Sequence, residues 1–468
     1  MTESFPRQHA RTRAFTSGAP RSFQISPGGD RVVFLRSQGG GDPVTCLWLL
    51  DVSTGEEHLV TDPATLGSGA GLTDTERAIR ERTREYASGI TGYATDTATS
   101  LAVFALAGRV YLTGLTPGAA ARQVPARGPA FDPRPDPGGQ RIAYVCDGAV
   151  RMTELASGED YEVIGPDGAP GVTYGLAEFV AAEEMHRMRG YWWSPDGTSL
   201  LVARVDDTPV NRWYIADPAN PQREPRQVAY PAAGTPNADV TLVVTGLRGG
   251  TTAVGWDRAA FPYLVTALWD EHGLLLVVQS RDQRTMRLLE ADPATGATRL
   301  VREDTDPQWV DVVAGVPART SGGDVVWTAD VDGTKRLFVA PAADLAGASP
   351  ATPAGMYLRA VLAADGDGVL FTASTDEPAE VELWHHGPDG LVELTPERGV
   401  NGGLAAGGTT VTVSRSMAAS GVTVRVLRGG AEAARIGSLA EQPNLPGAVP
   451  DIFAAGERGV RTALLLPS

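Results

Sequence analysis

Apolar residues along this chain fall in short runs set between small polar turns, and only two segments depart from that rhythm. One unit recurs: a turn, a run of β-formers, a polar break, then a second run. The clearest copies are SPGGDRVVFLRS from Ser26 and SPDGTSLLVARVD from Ser194. Weaker ones are DPGGQRIAYVCDGAVRM from Asp136, DEHGLLLVVQS from Asp270 and SGGDVVWTADVDGTKRLFVA from Ser321. Degenerate ones are TDTATSLAVFAL near Thr95, AADGDGVLFTAS near Ala363 and AAGGTTVTVSRS near Ala405. About eight copies therefore succeed one another at intervals of roughly 40 to 75 residues.

In each copy the turn is made by Pro-Asp-Gly, Pro-Gly-Gly or a relative, proline fixing φ and glycine accepting a positive one. The run that follows (VVFL, LLVA, IAYV) is apolar without alternation, as a strand buried on both faces must be. Second runs such as CLWLLD (46–51) and RLFVA (336–340) end in turn residues, as antiparallel neighbours do. One such sheet cannot bury its faces alone, so copies must stack, and short strands with even spacing favour radial stacking. The expected fold is all-β: an eight-bladed β-propeller, with seven blades within the error of the count. The two departures, 72–90 and 172–193, read as short helical insertions. The first opens with Thr73 and Glu76 in capping-box spacing.

Charge removes one class of partner. There are 40 basic residues against 56 acidic ones, a net charge of −16, and Lys335 is the single lysine. A phosphate-tracking surface needs clustered positive charge, so no nucleic-acid partner is expected. The longest apolar runs, such as 274–278, are strand-sized, and no apolar stretch follows the arginines of MTESFPRQHARTRAF. A cytoplasmic chain with no membrane partner is the expectation. Cys46 and Cys146 have no second cysteine at metal spacing and read as reduced core thiols. His385-His386 lies where a strand runs into a turn, Asp206-Asp207 closes a strand, and no phosphate loop precedes Lys335. No cofactor or metal is expected.

The second insertion carries the candidate chemistry. Glu183 and Glu184 are adjacent carboxylates behind the apolar EFVAA. On a helix they lie about 100° apart, so both can border one cleft, and a primary ammonium with three donors would satisfy them. Two ordinary surface glutamates would look the same in composition.

The run EFVAAEEMHRMRGYWWSPDGTSLLVARVDDTPV, with YPAAGTPNADVTLVV from Tyr230, resembles the N-terminal propeller of the dipeptidyl peptidase IV group of prolyl oligopeptidase-family serine peptidases. That resemblance implies an eight-bladed propeller and removal of dipeptides from free amino termini. It matches Glu183 and Glu184 to a pair that binds the peptide's terminal ammonium. Trp192, Trp193, Ser194 and Pro195 match the segment that follows, and Tyr230, Pro231, Ala233, Gly234 and Asn237 match a YP-x-AG-x-x-N element. It also implies an arginine from an earlier loop that orients the substrate, for which Arg77, Arg80, Arg82 and Arg84 are candidates. The family's catalytic residues lie in a C-terminal α/β-hydrolase domain built around G-x-S-x-G. That motif is absent from this sequence, so no catalytic residue is assigned and the chain alone is expected to be inactive.

The expected organisation is an N-terminal extension over 1–25, the propeller over 26–450, and over 451–468 the truncated start of a hydrolase domain. Expected partners are a peptide with a free amino terminus, a hydrolase domain in the full-length enzyme and, as the family often dimerises, a second copy. The alternative is a non-catalytic propeller that serves as a peptide- or protein-binding scaffold.

Overall fold

A computed structural model describes residues 3–67, 77, 80, 84–166, 168–366, 368–395, 398–444 and 449–466. Eight antiparallel sheets follow one another along the chain, spanning 21–61, 94–123, 131–164, 172–254, 263–305, 318–340, 357–393 and 400–436. They are blades one to eight of a β-propeller. Within a blade the strands pair in chain order, and first strands of neighbouring blades touch, so the first strands line the axis. All eight repeated turns of the sequence join the first strand of a blade to its second. Pairing across the Ser194 turn, for example, sets Trp193 against Leu200.

The unalternating apolar runs are explained by what lies on either side. In blade three Ala143 and Val145 pack with Tyr191, Leu200 and Val202 of blade four, while Ile142 and Tyr144 pack with Val103 and Val110 of blade two. Successive side chains of one strand thus fill two different blade interfaces. Among the described residues seven of the eight interfaces hold such a cluster. The seam between blades seven and eight is joined by main-chain contact, with a bridge between Val381 and Val400 and the Asn401 amide donating to the Val381 carbonyl.

Among the described residues no strand is exchanged to close the ring. Blade eight meets blade one through Phe34, Leu50, Val411 and Val426, all fully buried. Around this core, Thr409 Oγ1 donates to the Gly29 carbonyl at 2.7 Å and Arg36 Nη1 to the Gly437 carbonyl at 2.5 Å. Helix α1 (Phe5–Arg11) then straps the seam. Arg11 holds Glu441 at 2.6 Å, and Gln8 Nε2 donates to the Gln442 carbonyl at 3.0 Å. Arg11, and after it Gln8 Nε2 donating to Glu441 Oε2 at 3.1 Å, pull the Glu441 carboxyl down to about 2.

Two boundaries move. Blade one begins with Arg21–Ile25, inside the stretch 1–25 read as an extension, and the last blade ends at Ile436. Asp451–Ala455 and Val460–Leu464 form a separate hairpin. Among the described residues no helix is long and apolar enough to cross a membrane.

Phe34→Ala is expected to cost about 3 to 5 kcal/mol in a denaturant titration, by opening a cavity at the closing seam. Amide exchange should then rise first in blades one and eight. The Arg11–Glu441 strap contributes fully above the unfolded carboxyl value near 4.5 and is lost as pH falls towards about 2. Exchange in α1 should follow that window and lose part of its dependence in Glu441→Gln, the Arg11–Glu3 pair at 2.7 Å supplying the remainder.

Candidate functional site

The first strand of blade four is cut in two. Val172–Leu176 pairs with the far end of Ser199–Asp206, and Arg189–Trp193 pairs with its near end. The two halves meet only at Gly175–Gly190 and Leu176–Arg189. Gly175 has φ +79°, and a Cβ on Gly190 would lie 2.4 Å from the Gly175 carbonyl carbon. Glycine at both positions lets the strand leave and return at one point. The helical segment expected over 172–193 is corrected here. Only α2 (Phe179–Glu184) is helical, because the flanks satisfy their main chain in the blade-four ladder.

Helix α2 is seated by its apolar side. Ala181 and Met185, four residues apart, are buried with Tyr263, Val265 and Leu275 of blade five. That orientation leaves Glu183 and Glu184 exposed. Arg187 clasps the ends of the loop together: its Nη2 lies 2.9 Å from Glu178 Oε2, with the two side chains 3% and 6% exposed. The same guanidinium donates to the carbonyls of Arg189 at 2.7 Å and of Leu264 at 3.2 Å. The loop is thereby fixed to itself and to blade five.

Glu183 and Arg84 line one cavity of about 810 Å³. Its wall includes Glu178, Tyr230, Pro231 and Asn237. The Tyr230 ring stands edge-on to Phe179 at 5.1 Å and tilted against Trp213 at 4.1 Å. Trp213 belongs to a hairpin, Arg212–Ile215 with Arg226–Ala229, whose base is tied by Arg212 to Asp207 at 2.8 Å. Two buried polar atoms in this wall have no partner: Glu178 Oε1, an acceptor, and Asn237 Nδ2, a donor. An unmet buried polar group costs about 1 to 3 kcal/mol, so both favour a ligand that completes them.

The sequence candidates separate. Glu184 ends α2 and is exposed. Arg80 lines a different cavity of about 420 Å³ and donates to the Ala87 carbonyl at 2.7 Å. Arg77 is exposed and already engaged. Arg82, Thr73 and Glu76 lie outside the described residues. Trp192 and Trp193 face a third cavity of about 710 Å³, and Ser194 and Pro195 form the blade-four turn. Ala233 and Gly234 are exposed in the loop beyond Tyr230. Glu178 and Arg187 were missed. Their signal was an acid and a base bracketing the apolar stretch, but nothing in the spacing says that the two ends meet.

Residues 97–406 match the family described as Dipeptidyl peptidase IV (DPP IV) N-terminal region. Dipeptidyl aminopeptidase B of Saccharomyces cerevisiae is 25% identical over 187 residues, 38% of this chain and 23% of that protein. A probable dipeptidyl-aminopeptidase B of Tuber melanosporum is 27% identical over 217 residues, 40% of this chain and 24% of that one. These alignments span about a quarter of each relative's length. The crystal structure of Porphyromonas gingivalis dipeptidyl peptidase 4 superposes with a TM-score of 0.76 at 16% identity, covering 98% of this chain and 66% of that one. At that identity the likeness speaks for the fold.

Arg187→Gln should cost about 3 to 5 kcal/mol in urea unfolding, since it strands the buried Glu178 charge. Glu184→Gln should leave the midpoint within about 0.5 kcal/mol, because an exposed carboxylate is removed.

Proposed function

The chain belongs to the dipeptidyl peptidase IV N-terminal region family, and from that membership we propose that it binds the free amino terminus of a peptide and presents it to a serine-type peptidase domain. The observation that carries this reading is the shared cavity of Glu183 and Arg84, with two partnerless polar atoms in its wall. An ammonium has three donors and no acceptor, so it suits a paired carboxylate and is repelled by nothing else on α2. Charge-assisted bonds of this kind are short and directional, which fixes the amino end at one distance from any reacting carbonyl. Chains without a free terminus would be refused, as acetylation removes both the charge and two donors.

Arg84, in the lining of the same cavity, is the counter-group. It is the arginine of the four candidates that we assign to orienting the peptide, through a carbonyl oxygen. Tyr230, packed between Phe179 and Trp213, supplies an apolar wall. Amide hydrolysis needs a nucleophile, a base and an oxyanion site. With no G-x-S-x-G in the sequence, that chemistry is assigned to a hydrolase domain working with this propeller.

A scaffold without catalytic partner is the second reading. What favours it is the hairpin of blade four, where Trp213, Tyr214 and Ile215 are 51%, 66% and 49% exposed. A second copy or another protein would cover such a patch.

Calorimetric titration with a free-amine Ala-Pro peptide tests the proposal. Glu183→Gln and Glu184→Gln should each weaken binding by about 1.5 to 3 kcal/mol, roughly 10- to 150-fold. N-acetylation should have a comparable effect. Undiminished binding of the acetylated peptide would leave the scaffold reading standing in its place.

A further inference from the structure

The loop that carries Glu183 has a second side. Its residues 176–180 and Glu183 border the cavity of about 810 Å³, whereas 185–189 border the cavity of about 710 Å³. The latter is walled by first strands of several blades, through Ala94, Phe131, Trp192 and Val265, and so opens on the axial tunnel. Its charged lining is Asp132, Arg134, Arg187 and Arg189, with His186 beside them.

Most of that charge is spent. Arg187 is held by Glu178 at 2.9 Å, and Arg134 by Asp132 at 2.8 Å. Arg189 differs: among the described residues its guanidinium has no hydrogen bond and no ion pair, and its nitrogens stay reachable from the cavity. The adjoining cavity of about 420 Å³ shares Asp132 and Arg134 and adds Arg21, Arg80 and Glu85. Arg21 is paired with Glu85 at 3.0 Å, and Arg80 with a main-chain oxygen. With Arg187 set aside against Glu178, four arginines (21, 80, 134, 189) line these two cavities with two carboxylates (Glu85, Asp132), in a chain whose net charge is −16. Burial, and then the charge of Arg134, hold the Arg189 guanidinium below its ordinary value.

We propose that this arginine-lined cavity is a carboxylate site, with Arg189 as its principal ligand-binding residue. A guanidinium presents two parallel N–H groups that match the two oxygens of a carboxylate, a geometry no single ammonium reproduces. An incoming carboxylate would also offset the repulsion between Arg189 and Arg134. The site itself rests on the arginines alone. That the carboxylate is a peptide's rests on the amino-terminus reading, since one loop then separates an acidic receptor for the ammonium from a basic receptor for an acid. The acid is either the peptide's own C-terminal carboxylate or an acidic side chain.

Trp192, Trp193 and Trp269 line the same cavity, so tryptophan fluorescence of the full chain reports binding. Four probes separate the possibilities: Ala-Pro-Ala, its C-terminal amide, the amide of Ala-Pro-Glu, and N-acetyl-Ala-Pro-Ala. Ala-Pro-Ala should bind at least about tenfold more tightly than its amide, and Arg189→Gln should abolish that preference. If the side chain is the source, the amide of Ala-Pro-Glu shows the preference instead. Arg189→Lys should retain only part of it. Because Arg189→Gln removes an unpaired buried charge, its thermal midpoint should not fall; if it does, displacement of Ala-Pro-Ala but not of its amide by inorganic phosphate in the unaltered chain serves in its place. Equal binding of all the acids and amides, or a preference that survives in Arg189→Gln, overturns the carboxylate site. The penalty for N-acetylation reads the amino-terminus site independently and should be unchanged in Arg189→Gln.

Discussion

Among the described residues six of the eight blades carry apolar clusters on both faces, and that constraint organises everything else. A strand such as Arg141–Cys146 cannot shelter its two sets of side chains within its own blade. Each face needs a neighbour, each neighbour needs another, and the demand ends only when the last sheet meets the first. Closure between blades eight and one through Phe34 and Val411 is therefore the condition on which every other interface depends. Because no strand among the described residues is exchanged there, the seam leans on side chains reaching main-chain oxygens, and on the α1 strap.

A closed ring leaves its first strands facing an axis with no apolar partner, which frees them to hold function. Blade four uses that freedom by breaking its first strand and projecting residues 177–188. On the proposed reading, a mobile loop would be a poor place for carboxylates that meet an ammonium at fixed distance. Three devices restrain this one: the Gly175–Gly190 pinch, the seat of Ala181 and Met185 on blade five, and the buried Arg187–Glu178 clasp. The clasp is costly to build from isolated charges, yet its main-chain acceptors at Leu264 and Arg189 complete the guanidinium and make its breakage more costly still.

The distribution of charge carries as much information as the total. The chain is acidic overall, yet arginines gather along the tunnel near blades one to four. Acids on one side of a loop and arginines on the other give a field with direction, which on the proposed reading a peptide's own charged ends would follow.

By itself the sequence determined the repeat, and with it the class of fold, because turn chemistry and strand burial are local properties written in consecutive residues. All eight turn copies mark the same joint of successive blades, including the degenerate ones at Thr95 and Ala405. It also singled out Glu183 and Glu184, since adjacent acids after an apolar stretch are visible without coordinates. What only the tertiary structure decided is who faces whom. Period alone made 172–193 look helical, but its flanks had ladder partners in Ser199–Asp206, and pairing outranks local propensity. Likewise four arginines between 77 and 84 were equivalent on paper, and only the folded chain sets Arg84 in the cavity of Glu183 and Arg80 in another. Arg189 was unremarked in the sequence because being unpaired is a property of its surroundings, assembled from blades far apart along the chain.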